Sequence, residues 1–549
     1  MPTVSAHVAL TLAQHIDAVF GVMGNGNAYF LDALEKQTEA TFTAVRHEQG
    51  AVVAADAHFR ASGRIAAGTS TYGAGFTNTL TALAESVQAH VPLVLVVGDE
   101  PTSGPRPWDV DQIALASAVG ARTYTVGRAD AAATTVIAIE HALTYRVPVV
   151  LAIPYDVASL DAGEVPPAPS PRVPAPLAPR GEFADGMLDE IATALAGAER
   201  PFLLAGRGAW LAGASSALGK LAAATGALTA SSALGRGVFP DSQYDLGVTG
   251  GFGADGAMEL IRTADVAVVF GASLNQFTMR FGELFAPGTR VFQIDIAPAA
   301  THAHVGGFVR ADALVAAEAL VDRIGRTETA TPWRESVDVA AARTYDDGDE
   351  LAPDGRLDPR SAARRIAELL PDDRIVVSDG GHFIGWANMY WPVAAPDRMM
   401  MVGTAFQSIG QGWPSVVGAA LARRESTVVL TSGDGGGLMA IADLESAVRA
   451  AGGRGMAVVW NDAAYGAEVN LYGLKGLAEG PMRIPEVDFA AFGAAVGAEG
   501  VVVRTLADLD RLATWAAEDP SSRRFLLLDL RISGDVIAPY QQEIIRVNS

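Results

Sequence analysis

Two aspartates follow apolar, β-branched runs of the sequence, and their side chains are suited to bind a divalent cation. Asp434 comes after the run that starts with Thr427–Leu430, and Asp462 comes after Met456–Trp460. Carboxylate oxygens are the hard ligands that Mg²⁺ and Ca²⁺ prefer. Open α/β sheets bind ligands beyond the carboxyl ends of their strands, so we expect these two side chains to lie close together.

A glycine-rich segment surrounds the first of these aspartates. Glycine lets backbone N–H groups approach a phosphate at the start of a helix. The pattern that follows predicts one helix with its apolar residues on one face, ending at Gly452. Strand, helix and strand form a right-handed βαβ unit, which predicts a combined metal and phosphate site. The glycines expected to contact phosphate are Gly433, Gly435 and Gly436.

Strand-like and helical segments alternate along most of the chain, in three stretches separated by two linkers. Seven prolines between residues 158 and 181 favour extended backbone and predict the first linker. A polar stretch near 327–357 predicts the second. We therefore predict an α/β protein with three doubly wound parallel-sheet domains. Their predicted bounds are 1–165, 182–326 and 358–549.

The composition argues against several classes of partner and excludes some chemistry. Asp and Glu number 62 against 40 Lys and Arg, and the net charge of −22 argues against nucleic acid and anionic membranes as main partners. The chain has no cysteine, which excludes disulfides, thiolate metal sites and cysteine nucleophiles. It has neither a signal-peptide pattern at its N-terminus nor an apolar stretch able to span a bilayer, so we expect a cytoplasmic protein.

The segment 434–466 resembles the thiamine diphosphate motif, in which Gly-Asp-Gly precedes an Asn/Asp pair. The three stretches, in this order, look like the group of acetolactate synthase, benzoylformate decarboxylase and pyruvate oxidase. That group has a pyrimidine-binding, a central and a diphosphate-binding domain, and the resemblance implies thiamine diphosphate and Mg²⁺ as cofactors. It also implies that Asp434, Asp462 and the backbone of Ala464 bind the metal, with Asn461 as an open alternative to Asp462.

In the first stretch, Glu48 follows a predicted strand, as the catalytic glutamate of this group does. By resemblance, Glu48 hydrogen-bonds the aminopyrimidine ring of the cofactor and drives its tautomerisation. A carboxyl group suits this task because it can share a proton with a ring nitrogen. Taken alone, a glutamate at this position is equally explained as a first-turn residue that the helix dipole favours.

Further loops match the group in position, and the resemblance implies that they contact the cofactor. One of these residues, Ile409, falls where the group places a large apolar side chain under the bent cofactor. Glycine-rich turns are common in α/β proteins, so the order of these loops around Glu48 carries more weight than any one of them. The remaining residues expected to contact the cofactor are Gly24, Asn25, Thr71, Asn78, His382 and Tyr465.

The substrate site is expected to differ from each branch of the group. No histidine lies between His90 and His141, so the paired histidines of pyruvate-type decarboxylases have no counterpart. Asn25 and Thr71 stand where benzoylformate decarboxylase has serine and histidine. The side chains that remain as candidates to contact the substrate are Asn25, Gln112 and His382.

Since these proton donors are missing, we expect decarboxylation of a small 2-oxo acid followed by carboligation, as in acetolactate synthases. Two alternatives stay open: a non-oxidative decarboxylase or C–C lyase that releases an aldehyde, and a non-catalytic nucleotide-binding protein on the same fold. FAD also stays open, because the loops Gly206–Gly208 and Gly271–Leu274 follow strands of the central stretch. The resemblance implies a homodimer or homotetramer with active sites between subunits.

Overall fold

A computed structural model describes residues 1–325 and 331–548. It contains three six-stranded sheets, in which every pair of neighbouring strands is parallel. The predicted α/β class with three parallel-sheet domains is therefore confirmed. Residues 327–330 of the predicted second linker, and the predicted domain ends at 326 and 549, lie outside the described residues.

The first sheet has the strand order β2-β1-β3-β4-β6-β5. Its strands are β1 (Ala18–Gly21), β2 (Thr41–Ala44), β3 (Ala66–Ser70), β4 (Leu93–Asp99), β5 (Arg122–Thr125) and β6 (Pro148–Pro154). The helices of this domain are α1 (Val4–Leu12), α2 (Ala28–Gln37), α3 (Glu48–Ser62), α4 (Ala74–Thr77), α5 (Leu80–Gln88), α6 (Gln112–Ala118) and α7 (Ala131–Tyr145).

The central sheet has the order β12-β11-β10-β7-β8-β9. Its strands are β7 (Pro201–Ala205), β8 (Leu228–Ser231), β9 (Asp245–Val248), β10 (Val266–Phe270), β11 (Arg290–Asp295) and β12 (Val305–Arg310). Its helices are α8 (Gly181–Ala196), α9 (Arg207–Leu211), α10 (Ser215–Thr225), α11 (Asp255–Arg262) and α12 (Ala313–Ile324), and two short helices follow, α13 (Pro332–Ser336) and α14 (Val339–Ala342).

The third sheet has the order β14-β13-β15-β16-β18-β17, so it repeats the topology of the first sheet. Its strands are β13 (Arg374–Ser378), β14 (Met399–Met401), β15 (Thr427–Gly433), β16 (Gly455–Asn461), β17 (Glu499–Val503) and β18 (Leu526–Arg531). Its helices are α15 (Pro359–Leu369), α16 (Ile384–Tyr390), α17 (Gly412–Ala422), α18 (Asp434–Met439), α19 (Leu444–Ala451), α20 (Gly466–Glu468), α21 (Phe489–Ala495), α22 (Asp510–Ala517) and α23 (Pro539–Asn548).

Continuous apolar runs form the central strands, because both faces of a parallel sheet are covered by helices. Every residue of β4, β6, β15 and β16 is buried. Between residues 162 and 180 the proline-rich segment contains no helix or strand. In the part of the chain that the structure describes, no helix is long and apolar enough to cross a membrane.

The predicted single helix after Asp434 is wrong in detail. The glycines after Asp434 are themselves helical and form α18, a turn at 441–443 interrupts the chain, and α19 then runs to Ala451. Gly452, with φ +50°, ends α19 as predicted. A short helix that starts at Asp434 places backbone N–H groups of its first turn at the carboxyl edge of the sheet.

Two helices join the first and third domains. α3 and α17 run side by side so closely that a Cβ on Gly418 would lie 2.0 Å from the carbonyl oxygen of Ala54. Near the carboxyl ends of the two helices, Arg423 Nε donates to the Ala61 carbonyl at 2.9 Å. Alanine and glycine at this contact allow the two backbones to approach each other. The starts of both helices, where the predicted cofactor residues lie, are therefore held in fixed relation.

Candidate active site

The two predicted metal ligands lie together at the carboxyl edge of the third sheet. Asp434 and Asp462 follow the neighbouring strands β15 and β16, and Asp434 is almost fully buried. Burial, together with the charge of Asp462, raises the pKa of Asp434 to about 7. Burial raises the pKa of Asp462 to about 6. Two carboxylates that repel each other in a buried site favour a cation between them.

The neighbour of Asp462, Asn461, points elsewhere. Its side-chain nitrogen donates to the Val487 carbonyl and to Asp529 Oδ1, both at 2.9 Å, and its side chain is fully buried. Successive residues of a strand face opposite sides of the sheet, so Asn461 and Asp462 do not share one face. The geometry therefore favours Asp462 over Asn461 as the metal ligand.

The loop after Asp462 brings backbone groups to this pair of carboxylates. Ala463 has a left-handed φ of +58°, which is unusual for a residue with a side chain, and its N–H hydrogen-bonds Asp434. The N–H of Ala464 hydrogen-bonds Asp462. Tyr465 packs its ring over Gly435, where a Cβ would lie 2.6 Å from the ring. The strained turn thus orients both carboxylates.

His382 lies beside the same loop. Its Nε2 accepts a hydrogen bond from the Ala538 N–H at 3.3 Å, which leaves the proton on Nδ1. Burial lowers the pKa of His382 to about 4, so the ring is neutral at pH 7. A Cβ on Gly466 would lie 3.1 Å from His382 Nδ1 and 2.7 Å from Asp462 Oδ2. The imidazole N–H therefore faces the region of the metal pair.

Asp379, which was not predicted as a site residue, fixes the loop that carries Ile409. Its Oδ1 accepts hydrogen bonds from the backbone N–H groups of Gly380, Gly410 and Gln411 at 2.8, 3.0 and 3.2 Å. Burial raises the pKa of the Asp379 carboxyl above its usual range. Ile409 is half-buried and its Cγ2 lies 3.1 Å from where a Gly380 Cβ would stand. The sequence signal was an aspartate directly after β13.

The remaining predicted glycines of this edge leave no room for side chains. A Cβ on Gly436 would lie 2.9 Å from Asp379 Oδ2, and one on Gly433 would lie 2.8 Å from the ring of Phe383. Glycine at these positions therefore permits the close packing of the β15 loop against the β13 loop. Backbone this close to a helix start is suited to contact a phosphate.

In the first domain, Glu48 begins α3 and is half-buried. Its Oε2 accepts a hydrogen bond from Asn78 Nδ2 at 3.0 Å, and its Oε1 lies 3.4 Å from where a Cβ on Gly75 would stand. The loop between β3 and α5, which contains Thr71 and Asn78, therefore covers one side of the carboxyl group. The structure thus brings Glu48 and Asn78 together.

The other predicted residues of this edge form a second set of contacts. Thr71 Oγ1 accepts from the Gly26 N–H at 2.9 Å, and a Cβ on Gly24 would lie 2.7 Å from Thr71 Cβ. Asn25 Nδ2 donates to the hydroxyl of Tyr72 at 3.0 Å. A residue that was not predicted, Asn27, holds this turn, since its Oδ1 accepts from the Gly24 N–H at 2.8 Å.

Gln112 does not reach the open edge where the other predicted substrate residues lie. It is buried, its Oε1 accepts from the Gly73 N–H at 2.8 Å, and its Nε2 donates to the Gly98 carbonyl at 3.0 Å and to Asp99 Oδ1 at 3.1 Å. Both ends of its amide are therefore occupied by neighbouring loops. This placement disfavours the predicted contact of Gln112 with substrate and makes it a residue that positions the β3 and β4 loops.

The two half-sites are linked through Asp443, which follows α18. Its Oδ1 accepts from the Arg46 N–H at 2.7 Å and from Ser446 Oγ at 2.8 Å. A Cβ on Gly50 would lie 2.5 Å from Asp443 Oδ2. The chain before Glu48 is thus anchored to the third domain, although the hydrogen bond recorded for Glu48 itself lies within the first domain.

The donor set fits a magnesium-bound diphosphate. Among residues 1–325 and 331–548, no group of three His, Cys, Asp or Glu side chains could hold a metal. A metal held by Asp434 and Asp462 therefore needs further oxygens, which backbone carbonyls, water and a diphosphate supply. The glycine-lined start of α18 offers the diphosphate its N–H groups.

The two central-domain loops considered for FAD pack against each other. In doubly wound sheets, dinucleotides bind at the point where the strand order reverses. In the central sheet this point lies between β7 and β10. There the Gly208 N–H donates to the Gly271 carbonyl at 2.9 Å, and a Cβ on Gly271 would lie 2.3 Å from Ala209 N. The cavity beside these loops measures about 20 Å³, and Asp295 and Asp312 are among its lining residues. That volume holds about one water molecule.

Three parallel-sheet domains, with acidic and glycine-rich loops at the carboxyl edges of the first and third, define a cofactor-dependent α/β enzyme class. Models of the thiamine pyrophosphate enzyme family match in the same order. The N-terminal TPP binding domain matches residues 2–115, the central domain 188–320 and the C-terminal TPP binding domain 379–530. The chain belongs to the thiamine pyrophosphate enzyme family, which confirms the resemblance and supports thiamine diphosphate as its cofactor.

Several characterised proteins are similar along most of their length. A sulfoacetaldehyde acetyltransferase of Roseovarius nubinhibens is 27% identical in an alignment that covers 100% of this chain and 94% of the relative. The acetolactate synthase isozyme 3 large subunit of Escherichia coli is 26% identical, covering 95% of this chain and 93% of its own. A crystal structure of a putative thiamin diphosphate-dependent enzyme from Mycobacterium smegmatis superimposes with a TM-score of 0.79 at 23% identity, covering 96% and 99% of the two chains, and shows the shared fold.

Proposed function

We propose that this protein is a Mg²⁺- and thiamine diphosphate-dependent enzyme that decarboxylates a 2-oxo acid and transfers the remaining acyl unit to a second carbonyl. The observation that carries the proposal is the pair formed by the buried Asp434 and the half-buried Asp462, whose pKa values are raised to about 7 and about 6 beside a glycine-lined helix start. A structural role alone gives no reason to place two acids together where both are shielded from water.

Each half-site has a separate task in this proposal. When bound, thiamine diphosphate supplies a nucleophilic carbon that adds to carbonyls and accepts the electrons of a broken C–C bond. Asp434 and Asp462 hold the metal, and the start of α18 orients the diphosphate. Glu48, kept in place by Asn78, would share a proton with the cofactor's pyrimidine ring, and the half-buried Ile409 would offer the cofactor an apolar contact.

The preference for carboligation follows from the absence of a suitable acid among the predicted substrate contacts. Asn25 and Thr71 are neutral and engaged with Tyr72 and the Gly26 N–H. His382 is neutral at pH 7, because burial lowers its pKa to about 4. An acid with so low a pKa carries almost no proton to donate at neutral pH. Capture by a second carbonyl is therefore favoured over protonation and release of an aldehyde.

Product analysis tests this proposal. Purified protein is incubated with pyruvate or a longer 2-oxo acid, Mg²⁺ and thiamine diphosphate, and CO₂, aldehydes and acyloin-type products are measured. We expect CO₂ together with a condensed 2-hydroxy-3-oxo product. Free aldehyde in its place would make the enzyme a simple decarboxylase. Sulfoacetaldehyde is included as a substrate because a sulfoacetaldehyde acetyltransferase is similar to this chain over its whole length. If none of these substrates is turned over in a cofactor-dependent way, the proposal is wrong.

A second copy of the chain is expected to complete each site. Exposed apolar side chains lie on the carboxyl edges of both outer domains, Met23 and Tyr29 on the first and Phe406 and Met439 on the third. Several large apolar side chains exposed around one site are what a second copy of the chain would cover. Light scattering should therefore give the mass of a dimer or tetramer, and a fully active monomer would contradict this. Cytoplasmic localisation stays a prediction, and we expect the protein to show no flavin absorption.

A further inference from the structure

The segment 100–111, called here the β4 loop, crosses the active-site edge of the first domain. Three prolines restrict its backbone, at 101, 105 and 107. Thr102 is tied to Asp156 through its N–H at 2.9 Å and its hydroxyl at 2.6 Å. At its other end, Gln112 accepts from the Gly73 N–H. The loop is therefore held at both ends against neighbouring loops.

Three aromatic rings, called here the aromatic cluster, surround one arginine and fix the middle of the β4 loop. The guanidinium carbon of Arg106 lies 4.1 Å from the ring centre of Tyr72, 4.7 Å from that of Tyr155 and 5.5 Å from that of Trp108. Arg106 Nε and Nη2 each donate to Asp109 at 2.8 Å. Arg106 is thus both sandwiched and paired, and its charge is balanced within the loop.

Trp108 is the most exposed ring of the aromatic cluster, with 61% of its surface exposed against 42% for Tyr155. Its carbonyl oxygen lies 2.9 Å from where a Cβ on Gly73 would stand, and Gly73 has a left-handed φ of +61°. On the same loop as Gly73, a Cβ on Gly75 would lie 3.4 Å from Glu48 Oε1, and the hydroxyl of Tyr72 accepts a hydrogen bond from Asn25. A large, fixed and exposed indole therefore lies on the loop that adjoins the predicted cofactor and substrate residues.

The charge around the indole limits what it can recognise. Arg106 is neutralised by Asp109, and Glu100 and Asp111 belong to the same loop. Burial raises the pKa of Asp99, at the end of β4, to about 6. A second anionic group on a substrate would meet these carboxylates, whereas an apolar chain would bury the open face of the indole. Apolar burial against a preordered ring is favourable because little conformational freedom is lost.

We propose that Trp108 determines substrate specificity: its indole packs against the apolar side chain of a 2-oxo monocarboxylic acid, and Arg106 is the positioning residue that holds the indole in place. This inference rests on the proposed function and extends it from 2-oxo acids in general to those with an apolar chain. It disfavours dicarboxylic and sulfonated substrates.

Kinetics with a series of substrates tests the inference. Pyruvate, 2-oxobutanoate, 2-oxopentanoate and 2-oxoglutarate are compared in the holoenzyme and in Trp108→Ala. We expect wild type to prefer 2-oxopentanoate to 2-oxoglutarate, and Trp108→Ala to lose about tenfold or more in kcat/KM for 2-oxopentanoate with a much smaller loss for pyruvate. Phe183→Ala removes an even more exposed aromatic ring from α8 in the central domain and should change neither.

Arg106 variants separate positioning from folding. Arg106→Gln should shift the substrate preference in the same direction as Trp108→Ala, chiefly through KM, with the affinity for thiamine diphosphate unchanged. Arg106→Lys keeps a cation against the rings and should rescue part of the preference. An unchanged preference in both Trp108→Ala and Arg106→Gln would overturn the inference.

A binding measurement keeps the inference testable if the proposed function fails. Tryptophan fluorescence of protein loaded with Mg²⁺ and thiamine diphosphate is titrated with 2-oxopentanoate, and the change in Trp108→Phe is subtracted. A saturable change that depends on Trp108 supports the inference even without turnover, and no such change overturns it. A change of oligomeric mass in Trp108→Ala also overturns it, because Trp108 would then belong to a subunit interface.

Discussion

The two halves of the candidate site are built in different ways. In the third domain, Asp434 is buried against Asp462, and backbone N–H groups and glycines fix the geometry. In the first domain, Glu48 is half-exposed and accepts a hydrogen bond from the exposed side chain of Asn78. The third-domain half is a preformed cradle whose charges repel each other. The first-domain half is an open carboxyl group that needs a ligand to define its surroundings.

The difference indicates which half governs cofactor binding and which governs turnover. A buried like-charge pair is stabilised by whatever cation binds to it, so the third domain couples metal binding to folding. A half-exposed acid contributes little to stability but is available for proton sharing. Variants in the two halves should therefore fail at different steps, and each of the following experiments probes that separation.

Replacing Asp434 should have the largest effect. Asp434→Asn keeps the shape of the side chain but removes one of two carboxylate ligands. We expect activity to fall about a thousandfold or more, which corresponds to about 4 kcal/mol at 1.36 kcal/mol per tenfold. The stabilisation of the protein by Mg²⁺ and thiamine diphosphate in thermal unfolding should be lost as well. Glu425→Gln changes an exposed acid before β15 and should leave both intact. Full cofactor stabilisation in Asp434→Asn would contradict the metal assignment.

Replacing Glu48 should stop turnover while cofactor binding is retained. Glu48→Gln removes the shared proton, and loss of a general acid–base group costs about 10² to 10⁴ in rate. The affinity for thiamine diphosphate, measured by calorimetry, should change by no more than about threefold, because the diphosphate half is untouched. Glu35→Gln on α2 is the matched control in the same domain. If Glu48→Gln lost the cofactor but not the rate of the bound fraction, the division between the halves would be wrong.

Gly466 tests how tightly the metal loop is packed. In Gly466→Ala the new Cβ would meet Asp462 Oδ2 at 2.7 Å and His382 Nδ1 at 3.1 Å. Displacing a ligand through its neighbours costs about 10- to 100-fold in metal affinity. A Mg²⁺ titration followed by activity should show this loss. Gly480→Ala is the control, since its Cβ would have nothing within 4 Å. Equal affinities in the two variants would mean that Asp462 moves freely.

The sequence predicts the third-domain half better than its surroundings, for a physical reason. Asp434, Asp462 and the glycines are brought together by two adjacent strands, so local spacing encodes their contact. Asp379 accepts a hydrogen bond from the Gly410 N–H of another loop; its position after β13 is visible in the sequence, but the local pattern does not identify this partner. In the sequence, Gln112 appears free to contact substrate, but in the structure it is buried and bonded to neighbouring loops.

The same limit applies to secondary structure and to the fold. Apolar periodicity is the same whether a helix is continuous or interrupted, and it could not show that α18 stops before α19. Alternating strands and helices nevertheless predicted three parallel sheets, because buried parallel strands are apolar throughout. The repeated strand order of the first and third sheets has no counterpart in a sequence repeat. Topology can be retained where side chains differ.

The smallest expected effect is a shift in the pH dependence of Mg²⁺ affinity. It tests the comparison most directly, because it isolates the repulsion between the two aspartates. The pKa of Asp434 is raised to about 7 by burial and by Asp462. Mg²⁺ must displace a proton below that pH, so its affinity should fall by about tenfold per pH unit there. Asp462→Asn removes the like charge and lowers the pKa of Asp434, and the pH at which affinity begins to fall should decrease, although overall affinity is weaker.

The stability of the metal-free protein should depend on the same repulsion. Here Asp462→Asn is expected to stabilise the fold, whereas it weakens metal binding. A carboxyl group with a raised pKa in the folded state stabilises the fold at low pH, and this contribution is lost as pH rises through about 7 for Asp434. The loss begins near the ordinary carboxyl pKa of 3.8 and is complete above about pH 7, so in EDTA Asp462→Asn should raise the Tm more at pH 8 than at pH 5. Asp535→Asn, which changes an exposed acid near the same edge, serves as the control. An equal change in Tm at both pH values would show that packing, and not charge repulsion, distinguishes this half-site from the one around Glu48.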